Sequence, residues 1–120
     1  MIFHVVDDQP VICEFVGSVM HSRGHDARFF LSSVEYLDYL ADSTYARPDA
    51  IFTDMGMPLV SGREIVRRVM NLYPDQKFVV ISGAYMPEKQ CDPGICYFLN
   101  KPFGSEELEQ VIAMLEDKKI

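Results

Sequence analysis

Apolar and polar positions along this chain of 120 residues fall into alternating blocks, short continuous apolar runs taking turns with stripes of helical period. The run Ile2 to Val6, with His4 inside it, has the length of a strand and ends in Asp7 and Asp8. Pro10 suits the first turn of a helix, where its missing N–H costs nothing, and Asp8 is the expected N-cap. Val11, Ile12, Phe15, Val16, Val19 and Met20 then share one helical face, and Gly24 is a natural stop.

The scheme repeats. Ala27 to Leu31 reads as a strand, Ser32 to Glu35 as a capping box, and Val34, Leu37, Leu40 and Ala41 as the buried stripe of a helix that frays near Ser43 and Thr44. The third unit is DAIFTDMGMP, Asp49 to Pro58. Its apolar run Ala50-Ile51-Phe52 delivers Asp54 to a break made by Gly56 and Pro58. A capping box from Ser61 to Glu64 opens a helix striped by Ile65, Val66, Val69, Met70 and Tyr73 and closed by Pro74. Phe78 to Ile81, apolar on both faces, suits a central parallel strand and leads into Ser82-Gly83-Ala84. Cys96 to Leu99 is a fifth strand, followed by Lys101-Pro102-Phe103 and a last helix from Ser105 with Leu108, Val111, Ile112 and Leu115 inward. Five alternations of strand and helix predict a parallel α/β sandwich. Pro87, Pro93 and Gly94 leave room for only a short or irregular fourth helix, from Met86 to Asp92.

The length fits one domain over residues 1–120, and 48% hydrophobic and 24% charged residues are ordinary for a globular protein. No signal peptide or membrane-length apolar run is evident, which predicts a cytoplasmic protein. Cys13, Cys91 and Cys96 lack the spacing of a disulfide framework or a zinc site and are expected to be reduced thiols, Cys13 and Cys96 packed. With a net charge of −7 and scattered basic residues, direct nucleic-acid binding is not expected.

The chemistry gathers at strand ends. A parallel sheet brings Asp7, Asp8, Asp54, Ser82 and Lys101 to one edge, the edge at which open α/β sheets bind ligands. Three carboxylates together repel unless a cation intervenes, and a hard, oxygen-seeking ion such as Mg²⁺ is the natural compensation. Lys101 and Ser82 suit phosphoryl oxygens, and backbone N–H groups near Gly56 and Gly83 stand open to approach. An aspartate can attack phosphorus to give an acyl phosphate. Placement alone on the central strand favours Asp54 as nucleophile, with Asp7 and Asp8 left for metal.

Taken together, Asp7-Asp8 in VVDDQP, Asp54 in DMGMP, Ser82 in VISGA and Lys101 in LNKPF resemble a response-regulator receiver domain of two-component signalling, over essentially the whole chain. The resemblance implies a three-layer, doubly wound, CheY/flavodoxin-like sheet of order 2-1-3-4-5. It makes Asp54 the phosphoacceptor, Asp8 a direct and Asp7 a largely water-mediated ligand of Mg²⁺ (Mn²⁺ or another divalent ion also serving), and the Gly56 carbonyl a further ligand. It pairs Lys101 with the phosphoryl group and gives Ser82 and Phe98 the role of conformational switch. The implied donor is a histidine kinase or phosphotransfer protein, meeting the surface from Asp8 to Phe15 and the loop with Phe103. The implied recipient is a downstream target protein or an output domain on a longer chain, with no membrane contact.

This chain departs from the pattern in three ways: Phe98 lacks a tyrosine's hydroxyl, the segment between Ser82 and Phe98 is about a helical turn shorter than in many receivers, and neither Gly56 nor Ala84 has a side chain that can hydrogen-bond an attacking water. An aspartate-nucleophile phosphatase would want a second acid where Gly56 stands, and a nucleotide module would want a Gly-rich loop where Asp7 and Asp8 stand. A phosphorylation-independent pseudo-receiver acting as a protein-interaction module is the remaining alternative. Met55 and Met57 are expected to be turn and packing residues, His4, His21 and His25 to be structural or exposed, and Tyr36, Tyr39 and Tyr45 to pack half-buried.

Overall fold

The structure is a computed structural model and describes residues 1–83 and 96–117. Strands β1 (Ile2–Val6), β2 (Asp26–Phe30), β3 (Ala50–Asp54), β4 (Lys77–Ser82) and β5 (Cys96–Asn100) are joined in one parallel sheet of order β2-β1-β3-β4-β5. Helices α1 (Pro10–Ser22), α2 (Ser33–Leu40), α3 (Gly62–Leu72) and α4 (Ser105–Asp117) complete the described elements. The topology is the one the resemblance implies. The helix expected between β4 and β5 lies outside the described residues, as do Ala84 and Cys91. Among the described residues no helix is long and apolar enough to cross a membrane.

Alternation along each strand sorts the core into two halves. Phe3, Val5, Phe52, Val79, Ile81 and Leu99 face α1 and α4, whereas Val6, Ile51, Phe78 and Phe30 face α2 and α3. Each such side chain, taken from water, stabilises by roughly 1.5–3 kcal/mol, which holds both helix layers on the sheet. Chain order reverses direction between β1 and β3. Their carboxyl ends, carrying Asp7 and Asp54, therefore flank the crevice of the fold.

Helix ends follow the local chemistry with one exception. Ser32 Oγ accepts from Glu35 N–H (3.3 Å) and Ser61 Oγ from Glu64 N–H (3.4 Å), half of each expected capping box. Gly24, at φ 84, ends α1 in a Schellman arrangement: its N–H donates to His21 O and that of His25 to Met20 O. The N-cap of α1 is Gln9 rather than Asp8, and Gln9 makes no side-chain cap. Asp7 takes the local role instead, Oδ1 accepting from Gln9 N–H at 2.9 Å, which leaves Asp8 exposed and directed to the site.

Two stripes are turned relative to expectation. Val11 is 68% exposed, because α1 buries Cys13, Val16, Gly17 and Met20, placing Val11 roughly opposite on the helix. Gly17 is where the Phe29 ring lies; a Cβ there would stand 2.4 Å from Phe29 Cζ. On α2, Val34 and Ala41 are exposed and the inward face belongs to Ser33 and Tyr36, with Leu37 and Leu40 partly buried. Tyr36 turns this face inward: its hydroxyl is 2.8 Å from His4 Nδ1 and 2.6 Å from Tyr45 Oη, inside an aromatic cluster with Phe30 and Tyr39. Burial, with the charge of Arg28 adding to it, pushes the His4 pKa down to about 4.

Candidate functional site: an acidic cluster spanned by a lysine

Four of the strand-end residues meet. Carboxylate oxygens of Asp7, Asp8 and Asp54 all lie within 4.8 Å of one another. Lys101, just past β5, extends its Nζ to 3.3 Å from Asp7 Oδ2 and 3.4 Å from Asp54 Oδ2. Neighbouring strands are about 4.8 Å apart and β4 stands between β3 and β5, so only a long side chain makes this reach. The Lys101 N–H donates to Ser82 O at 2.7 Å, fixing the lysine's backbone to the end of β4.

Asp54 is the last residue of β3 and is buried, with Ile81 across from it. Its Oδ1 accepts from Gly56 N–H at 3.2 Å, so one carboxylate oxygen is held by the loop and the other faces Lys101. That loop is anchored by Met57, which is buried in the core as expected of a packing residue, and it closes at Leu59. Leu59 has φ 68 and is 94% exposed. Gly62 opens α3 directly against the Asp54 carbonyl.

Asp7 is fully buried, and among the described residues its Oδ2 has no hydrogen-bond partner and is met by the Lys101 ammonium at 3.3 Å. Burial raises its pKa, against the lowering pull of the Gln9 N–H and of the Lys101 charge. Cys13, packed beneath it with Sγ 3.5 Å from Asp7 O, has its thiol pushed up to about 11 by burial and is inert. Three carboxylates against one ammonium leave two negative charges in excess, and the donors are all oxygens. Carboxylate oxygens gathered within 4.8 Å of one another, one of them buried and met by the lysine alone among the described residues, fit a hard divalent cation.

The remaining predicted residues stand nearby. Ser82 ends β4, buried, beside Asn100 of β5. Phe98 sits lower on β5 across from Val80, half-buried on the side of the sheet that α2 and α3 cover. Beside Lys101 a cleft of about 380 Å³ is lined by Ile12, Pro102 and Phe103, on the surface expected to meet a donor. The contributions of Ser33 and Gly62 to the Asp54 loop carry no sequence signal, since each depends on a contact between elements distant along the chain or on backbone proximity.

A sheet of this order with an aspartate pair, a buried central aspartate and a lysine at its carboxyl edge defines the receiver class. Residues 3–113 match the family model of the response regulator receiver domain, and the chain belongs to that family. It is the receiver domain of a two-component response regulator, a signalling domain. It is 30% identical over 107 residues to response regulator MprA of Mycobacterium sp. (strain KMS), covering 87% of this chain and 45% of that protein. The same identity holds with MprA of Mycobacterium avium (strain 104), at 87% and 46% coverage. The chain thus spans a little under half the length of these curated relatives. In fold it is similar to the chemotaxis response regulator CheY4 of Vibrio cholerae, with a TM-score of 0.81, 23% identity and coverage of 95% and 97%. The receiver domain of Francisella response regulator 1452 superposes with a TM-score of 0.82 at 20% identity, covering 99% and 98%.

Proposed function

We propose that this chain is a phosphoacceptor, taking a phosphoryl group onto Asp54 from the phosphohistidine of a histidine kinase or phosphotransfer protein. The observation that carries the reading is the position of Lys101 Nζ, within 3.4 Å of both Asp7 and Asp54. An Asp54 carboxylate oxygen attacks phosphorus in line. The new P–O bond forms as the P–N bond breaks, and its electron pair leaves on the donor imidazole. Lys101 stabilises negative charge on the transferring oxygens, and Gly56 N–H fixes the carboxylate's orientation. Asp7, Asp8, Asp54 and the Gly56 carbonyl would hold Mg²⁺ or Mn²⁺, which when bound supplies positive charge between the carboxylates and the phosphoryl group.

Output follows as a population shift, in which Ser82 and Phe98 adopt the arrangement the phosphoryl group favours and a target protein or output domain responds. Phosphorylation should leave an acyl phosphate. Incubation with acetyl phosphate and Mg²⁺ is expected to give one hydroxylamine-labile phosphoryl group; a hydroxylamine-stable group would contradict attack by a carboxylate.

A further inference from the structure

Ser33 stands in the first turn of α2, 2% exposed, far from Asp54 in sequence. Its hydroxyl lies 2.5 Å from Val60 O and 3.6 Å from Met57 Sδ. A serine hydroxyl has one proton, and the shorter contact takes it, the sulfur packing against the same oxygen. One side chain of α2 therefore touches both flanks of the loop that joins β3 to α3. Between those anchors Val60 N–H donates to Pro58 O at 2.8 Å and Leu59 takes its left-handed conformation. Immediately before them stands Gly56, whose N–H holds Asp54 Oδ1.

We propose that Ser33 is a positioning residue for the phosphoacceptor site, its hydroxyl fixing the Met57–Val60 loop and through it the backbone of Gly56 against Asp54. This rests on the reading of Asp54 as phosphoacceptor and of Gly56 as a metal ligand. Met55 N–H, donating to Ile81 O at 3.0 Å, ties the chain before Gly56 to β4. The Gly56 carbonyl lies in the peptide plane shared with Met57, so its direction follows whatever anchors Met57. Without the Ser33 hydroxyl, Val60 O loses its partner and the loop gains conformations in which Gly56 no longer faces the carboxylate. The carboxylates and the lysine stay in place. The loss falls on cation affinity and on the rate of phosphorylation.

Titration calorimetry with Mg²⁺ and initial rates with acetyl phosphate test this on wild type, Ser33→Ala and Tyr36→Phe. Tyr36→Phe weakens the same helix by removing the hydroxyl bonded to His4 and Tyr45, but leaves the loop anchor intact. Ser33→Ala is expected to raise the Mg²⁺ dissociation constant about tenfold and to slow phosphorylation, with Tyr36→Phe unchanged in both. If the alanine protein does not fold, Ser33→Cys, nearly isosteric with a weak donor, takes its place. Wild-type Mg²⁺ affinity in the Ser33 variant, an equal loss in Tyr36→Phe, or no Mg²⁺ binding by wild type overturns the proposal. Mg²⁺ binding by wild type without phosphate gain refutes the phosphoacceptor reading instead, and calorimetry still decides the role of Ser33.

Discussion

Gly62 lies against the main chain of Asp54: a Cβ built on it would stand 2.2 Å from the Asp54 carbonyl oxygen and 2.9 Å from its carbon. Backbone cannot yield as a side chain can, so the start of α3 and the end of β3 must separate to admit a methyl group. Gly62→Ala should cost about 2–3 kcal/mol in denaturant unfolding, near the upper end for overpacking, and should lower phosphate gain at Asp54. Wild-type stability in this variant would contradict the contact.

Leu59 is a second backbone constraint on the same loop, of opposite consequence. A leucine at φ 68 bears a left-handed strain of about 1–2 kcal/mol, and at 94% exposure its side chain returns almost nothing. Leu59→Asn should raise unfolding free energy by about 1 kcal/mol. A decrease would mean that the leucine makes a contact in solution.

His4 makes stability depend on acid. Its folded pKa of about 4 lies below the ordinary value near 6.5, so between these the unfolded chain binds more protons than the folded one. Stability is therefore full above about pH 6.5 and falls as pH drops toward 4, by about 3 kcal/mol in total. Asp7 works the other way, its raised pKa favouring the folded state at low pH and costing stability as pH rises through it. Chemical denaturation of wild type and His4→Leu at stepped pH separates the two, since Asp7 is common to both. The difference should shrink from pH 7 to pH 4, and a constant difference would rule His4 out.

Asp7→Asn removes a buried carboxylate whose ionised form burial disfavours. Without added cation its melting temperature should exceed that of wild type at pH 7, and the rise on adding Mg²⁺ should be smaller than in wild type. An undiminished Mg²⁺ effect would take Asp7 out of the cation site.

The sheet and the meeting of Asp7, Asp8, Asp54 and Lys101 at its edge were legible because each rests on local pattern: apolar runs give the strands, and acid or lysine at a run's end gives the edge. The phase of a stripe was less so. Val11 and Val34 extend apolar spacings that Cys13, Gly17 and Tyr36 override by contacts with other elements, Phe29 in one case and His4 and Tyr45 in the other. Acids favour helix N-caps and Asp8 stands just before Pro10, yet the cap is Gln9 and Asp7 satisfies the Gln9 N–H. The Ser33–Val60 bond joins residues 27 apart, and the tight fit of Gly62 depends on how α3 meets β3; neither leaves a periodic trace.

The most direct measurement is intact mass after incubation with acetyl phosphate, for wild type and Asp54→Asn, each with Mg²⁺ and with chelator. Gain of a single phosphoryl group by wild type with Mg²⁺ alone is the expected result. Gain in Asp54→Asn equal to wild type, or none in folded wild type with Mg²⁺, would contradict the account and favour a receiver that works by protein contact without phosphorylation.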